Sequence, residues 1–95
     1  ASVAGNITIS SAGAGFLITE GVNASMGTSL LQGGTSTVAT TLALTQSRIF
    51  LQNIGIVGTA GALWVSNISD GVSFKINSTV ATDSSKIAYM IVNPA

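Results

Sequence analysis

The chain has 95 residues, of which 46% are apolar and only 6% charged, and its formal net charge is zero. It contains no Cys and no His, which closes disulfides, thiolate metal sites, thiol nucleophiles and the usual His-centred triads. The ionic side chains are Glu20, Arg48, Asp70, Lys75, Asp83 and Lys86, whereas about a quarter of the residues of an ordinary domain are charged.

This length makes a single domain over residues 1–95. A monomer of this size buries only about two-thirds of the surface its unfolded chain exposes. With so few charges, much of the remainder must be apolar or merely hydroxylated, and zero net charge favours association. The composition therefore implies a homo-oligomer or a component of a larger lattice. There is no basic patch for nucleic acid and no cationic leader. The start at Ala1 fits a small protein whose initiator Met was removed, although a processed fragment would read the same. Residues 49–69 carry no charge, but Gln52, Asn53, Ser66, Asn67 and three glycines interrupt them. Flanking Lys/Arg asymmetry is also missing, so no membrane span is expected.

The abundance of Val, Ile and Thr, punctuated by Gly, Ser and Asn, predicts strands. Residues 2–9 read as a first strand with Val3, Ile7 and Ile9 on one face, followed by a turn at Ser10–Gly15. Phe16-Leu17-Ile18 reads as a short run buried on both sides. Gly21–Gly34 is loop-like, with Met26, Leu30 and Leu31 as anchors. From Thr35 to Leu44 the alternation is period two, with Val38, Thr40, Leu42 and Leu44 on one face. Arg48–Gln52 is the next strand, with Ile49-Phe50-Leu51 at its centre, and Asn53–Gly61 is a glycine-rich connection. Ala62–Ile68 and Val72–Ile76 form the clearest hairpin, because Asp70-Gly71 supplies the positive φ of a tight turn. Asn77–Ser85 is polar and turn-rich. Ile87–Val92 is the last strand, with Tyr89 and Met90 on opposite faces, and Pro94 ends the ladder. About seven short strands predict an antiparallel β-sandwich of jelly-roll-like type. Residues 35–94 form its core, and 1–34 form either an N-terminal arm or extra strands.

No constellation of catalytic type emerges. Asp70 is explained by its turn, and Asp83 heads a Ser-rich turn. Ser73 and Lys75 merely alternate on a strand. Asp83, Ser84 and Ser85 could share a Ca²⁺ ion, but three acids far apart in sequence make a poor site. No metal and no cofactor is expected. Gly13-Ala14-Gly15 lacks the third glycine of a dinucleotide loop. Four glycosylation sequons, at Asn6, Asn23, Asn67 and Asn77, are expected by chance in so Asn/Ser/Thr-rich a chain. Phe50, Trp64, Phe74 and Tyr89 are expected to pack in the core or an interface rather than to form a stacking platform. Arg48 lies beside an apolar strand and calls for a partner. Asp83 is the first candidate, and Glu20 of a neighbouring subunit is the second.

From Thr35 onward the chain resembles small structural proteins and fibre-like modules of tailed bacteriophages. The resemblance runs through Ser47–Leu51 (Ser-Arg-Ile-Phe-Leu), Val65-Ser66, Gly71–Ile76, Asp83–Ser85 and Ala88–Pro94, in that order over some 60 residues. Lys75 departs from the small polar residue of that pattern. The resemblance implies a non-enzymatic virion protein on the particle exterior, working as a homo-oligomer, frequently a trimer, and binding the major capsid protein or other virion proteins. The form expected first is a capsid decoration or cement protein that stabilises the assembled shell by binding it and not its parts. The alternative is a receptor-binding module of a tail fibre or spike.

Overall fold

In the computed structural model, which describes residues 5–94, the chain is all-β. Six strands follow in order: β1 (Met26–Leu30), β2 (Thr35–Ala39), β3 (Arg48–Gly55), β4 (Leu63–Ser69), β5 (Ser73–Ser78) and β6 (Lys86–Val92). They form two three-stranded antiparallel sheets, sheet A in the order β1-β6-β3 and sheet B in the order β2-β5-β4. The pairing is nested: β1 with β6 and β2 with β5, then β3 and β4 on the far edges. This arrangement is a small β-sandwich with jelly-roll-like wrapping.

Period-two sequence drives the packing. Along β3 burial alternates strictly, and along β6 Ile87, Tyr89 and Ile91 point inward while Lys86, Ala88, Met90 and Val92 point out. The two central strands supply most of the core: Ile87, Tyr89 and Ile91 from β6, Phe74 and Ile76 from β5. Val38, Leu31 and Ala43 complete it, with Ile49, Leu51, Leu63 and Val65 packed against its sides. The Phe74 and Tyr89 rings meet across the two sheets edge to face, with centroids 5.3 Å apart, a geometry favoured by the ring quadrupoles. At the β1/β2 edge the gap is closed by a hydrogen bond between the Ser29 and Ser36 hydroxyls.

The hairpin of β4 and β5 turns where expected. Gly71 has φ +70°, and the Asp70 carboxylate accepts from Thr45 N–H at 3.0 Å, tying the turn to the loop before β3. Other expectations need correction. β1 lies inside the stretch expected to be a loop, because pairing with β6 overrides its weak local preference. Gly27 is essential to that pairing, since a Cβ there would run into the Tyr89 hydroxyl. The long strand expected over Thr35–Leu44 stops at Ala39, where Thr40 N–H turns to the Val72 carbonyl and its hydroxyl accepts from Leu42 N–H. β3 extends to Gly55, into the stretch expected to be a glycine-rich connection. The first strand expected over 2–9 is not formed in its described part: Ile7 and Ile9 are exposed, while Val3 lies outside the described residues. Phe16-Leu17-Ile18 is exposed rather than buried on both sides. Among the described residues, no apolar surface covers these two runs. Six strands are formed among the described residues, where about seven were expected.

Because Phe74 is wholly buried between the sheets, Phe74→Ala is expected to cost about 3–5 kcal/mol in urea denaturation. Gly27→Val should destabilise by about 1–3 kcal/mol through overpacking against Tyr89.

Candidate functional site

The structure separates the four rings that the sequence groups together. Phe74 and Tyr89 are core residues, whereas Phe50 (57% exposed) and Trp64 (48% exposed) project from opposite outer faces of the sandwich. They do not form a single platform. Arg48 and Asp83 are not brought together either. Arg48 opens β3 opposite Val92, whereas Asp83 precedes Lys86, which pairs with Gly55 at the other end of β3. Those ends of an eight-residue strand are about 23 Å apart. The Arg48 guanidinium instead donates to the Gln46 carbonyl at 3.3 Å.

Asp83 has a different role. It is fully buried, and both carboxylate oxygens accept hydrogen bonds. Oδ2 takes the Ser78 hydroxyl at 2.8 Å and Gly61 N–H at 3.1 Å, and Oδ1 takes Ser85 N–H at 3.0 Å. Its carbonyl accepts from Gly34 N–H at 3.1 Å, while Ser78 N–H donates to the Gly34 carbonyl at 2.8 Å. Asp83 thus ties together the end of β5, the start of β6, the loop before β4 and the β1–β2 turn. The Ser85 and Ser78 hydroxyls, with the Ser85 and Gly61 amides, hold its carboxyl down to about 2, from an ordinary 3.8, against the opposing effect of burial. A carboxylate surrounded by donors is satisfied as an anion and offers little to a cation, and among the described residues no three acidic groups gather at one point. The Asp83–Ser85 stretch is therefore a structural clasp. The Ser-rich sequence signals its turn, but Ser78 and Gly61 as partners are visible only in three dimensions. Gly61 is confined by the same clasp: a Cβ there would sit 2.7 Å from the Thr79 hydroxyl.

The two outer faces differ sharply. On sheet A, cross-strand rows place Met26 beside Met90 beside Phe50, with Val92 and Arg48 in the next row on one side and Ala88 and Gln52 on the other. Met26, Phe50, Ala88 and Met90 line a shallow, largely apolar depression of about 420 Å³. On sheet B the rows are Thr35–Asn77–Trp64 and Thr37–Lys75–Ser66, a hydroxyl- and amide-rich face with one indole. Asn77 Nδ2 donates to Ser66 Oγ at 2.8 Å, which fixes the amide in that face and leaves its sequon buried. At the β1/β2 edge lies a cleft of about 380 Å³ lined by Glu20, Gly27, Val38 and Tyr89. Burial first, and the Glu20 charge second, push the Tyr89 hydroxyl above its usual pKa.

Residues 23–92 match the family model described as K1 capsule-specific polysaccharide lyase, C-terminal domain. The chain belongs to this family. The matched span contains all six strands, the Asp83 clasp and both outer faces, and it leaves residues 5–22 outside. No curated protein and no solved structure matches the chain. The matched span begins at Asn23, upstream of Thr35, where the expected resemblance starts.

The clasp has a pH signature. Asp83 is depressed in the folded state, so its stabilisation is fully present above its unfolded value of 3.8 and is lost as pH falls through about 2. Melting temperature is expected to fall across that window. Asp83→Asn, whose amide would face donors, should melt lower at neutral pH and show a flatter profile between pH 4 and 2.

Proposed function

We propose that the chain is a tail-associated structural module of a bacteriophage particle, a non-catalytic β-sandwich that works on the virion exterior in company with copies of itself. The family match across all six strands carries this reading, since the family is the C-terminal domain of a capsule-specific polysaccharide lyase. In this reading the module leaves bond cleavage aside and contributes assembly and contact. The chemistry of the chain agrees: the buried Asp83 carboxylate is occupied by the clasp, and the exposed side chains are suited to packing and hydrogen bonding.

Capsid decoration rests on the same physics of an ion-poor surface seeking partners, and the family favours the tail over it. Quantitative mass spectrometry of purified particles separates them. A few dozen copies or fewer are expected, in tail fractions; hundreds of copies on the shell would overturn the tail reading.

Sheet B favours a second contribution, contact with a glycan. Trp64 offers a half-exposed ring beside Thr35, Thr37 and Ser66, the combination that stacks on a sugar and bonds its hydroxyls, and Lys75 adds a cation for an acidic polymer. Trp64 is the single Trp of the chain, so its emission reports this face alone. Titration with an acidic capsular polysaccharide should shift that emission, less so in Lys75→Ala; an unchanged spectrum at saturating polymer would remove the glycan role.

A further inference from the structure

The Tyr89 hydroxyl has no task inside the protein. Tyr89 is an inward residue of the central strand β6 and only 6% exposed. Its ring packs edge to face on Phe74, which a Phe would do as well. Among the described residues, no group forms a hydrogen bond with its hydroxyl. The hydroxyl instead opens onto the cleft at the β1/β2 edge, and Gly27 is the reason it reaches so far. Gly27 faces Tyr89 across the β1–β6 ladder, and a Cβ there would run into the hydroxyl. Without one, the ring tip passes beneath β1, and both residues line the cleft.

Two further polar groups meet there. Glu20 is held beside β1 by its bridge to Met26 and by the hydrogen bond from Gly21 N–H to the Met26 carbonyl at 3.3 Å. It lines the same cleft, near enough that its charge helps keep the Tyr89 hydroxyl protonated and a donor. Thr28 supplies backbone. Ile91 N–H donates to the Ser25 carbonyl and Leu31 N–H to the Ser85 carbonyl, so the odd-numbered residues here bond towards β6. The N–H and carbonyl of Thr28 therefore turn to the open edge, where Thr28 lines the cleft. Val22 and Val38 add apolar wall, and no Lys or Arg lines the space.

We propose that this cleft binds a neutral sugar residue, whose hydroxyls donate to the Glu20 carboxylate and accept from the Tyr89 hydroxyl and Thr28 N–H, with a C–H face against Val22 and Val38. A hydroxyl both donates and accepts, as this set of partners requires. An ammonium would suit Glu20 but has no lone pair for the two donors. A carboxylate or sulfate would meet Glu20 with like charge. At about 380 Å³ the cleft lies at the small end of the roughly 300–1,000 Å³ range of ligand pockets. The site is separate from the sheet B face, which carries Lys75 and is suited to an acidic polymer.

The test is titration of the isotope-labelled protein, followed through the Gly27 and Thr28 amide resonances. The probes are the methyl glycosides of glucose, galactose and mannose, with methylammonium and glucuronate as the charged alternatives. At least one methyl glycoside should shift both resonances saturably, and neither charged probe should. Tyr89→Phe should melt like wild type, because its hydroxyl holds nothing in the protein, and should weaken binding roughly tenfold. Glu20→Ala, at an exposed position, should weaken it by a similar factor. Resonances unmoved by every glycoside, a response to methylammonium or glucuronate alone, or undiminished affinity in Tyr89→Phe would each overturn the proposal. So would a clearly lower melting temperature of Tyr89→Phe, which would give the hydroxyl a partner within the fold. Trp64 lies on β4, at the opposite edge of sheet B from β2, so its emission reports the other glycan face and the two sites can fail separately.

Discussion

The structure depends on one buried anion in a chain that has almost none. Removing a carboxylate from water is strongly unfavourable unless its lone pairs are filled. Asp83 meets that condition with the Ser78 hydroxyl and two amides rather than with a cation. The donors come from the end of β5, the approach to β6 and the loop before β4, so satisfying the charge fixes where β5 ends and β6 begins. Those two strands are the central strands of their sheets and carry most of the core. Setting their offset sets the registers of all the other strands, and with a period of two it decides which side chains face out.

What faces out is uneven, and that unevenness gives the molecule its proposed work. Sheet B turns threonine and serine outward around Trp64, a surface compatible with water and with sugar hydroxyls. Sheet A turns out Met26, Phe50, Met90 and Val92. The core is shallow because each sheet has only three strands, and fifteen large apolar side chains of the described residues remain exposed while eight apolar residues are buried.

Elements with strong local chemistry are legible in the amino-acid order alone. The Asp70-Gly71 turn, the Phe74 and Trp64 strands around it, and the Tyr89/Met90 alternation all stand where pattern and turn residues place them. The departures have a common cause. β1 contains Gly27 and small polar residues and has little strand preference of its own; pairing with β6 and the Tyr89 ring beneath it make it a strand. Residues 5–18 show the reverse, since Ile7, Ile9 and Phe16-Leu17-Ile18 have the pattern of strands but find no face among the described residues to cover them. Charge alone pairs Arg48 with Asp83, and charge carries no distance.

The sequence by itself determined the class: β-rich, ion-poor, and without nucleophilic thiol or imidazole, because composition and period-two alternation are local properties that any fold must accommodate. Tertiary structure alone decided that Asp83 is a clasp and not half of an ion pair. It also decided that Phe50 and Trp64 look away from each other and that the segment before β1 stands uncovered. These depend on which distant strands pair and in what register, and that choice is made by burying Phe74, Ile76, Ile87 and Tyr89 together while leaving neither carboxylate oxygen of Asp83 unfilled.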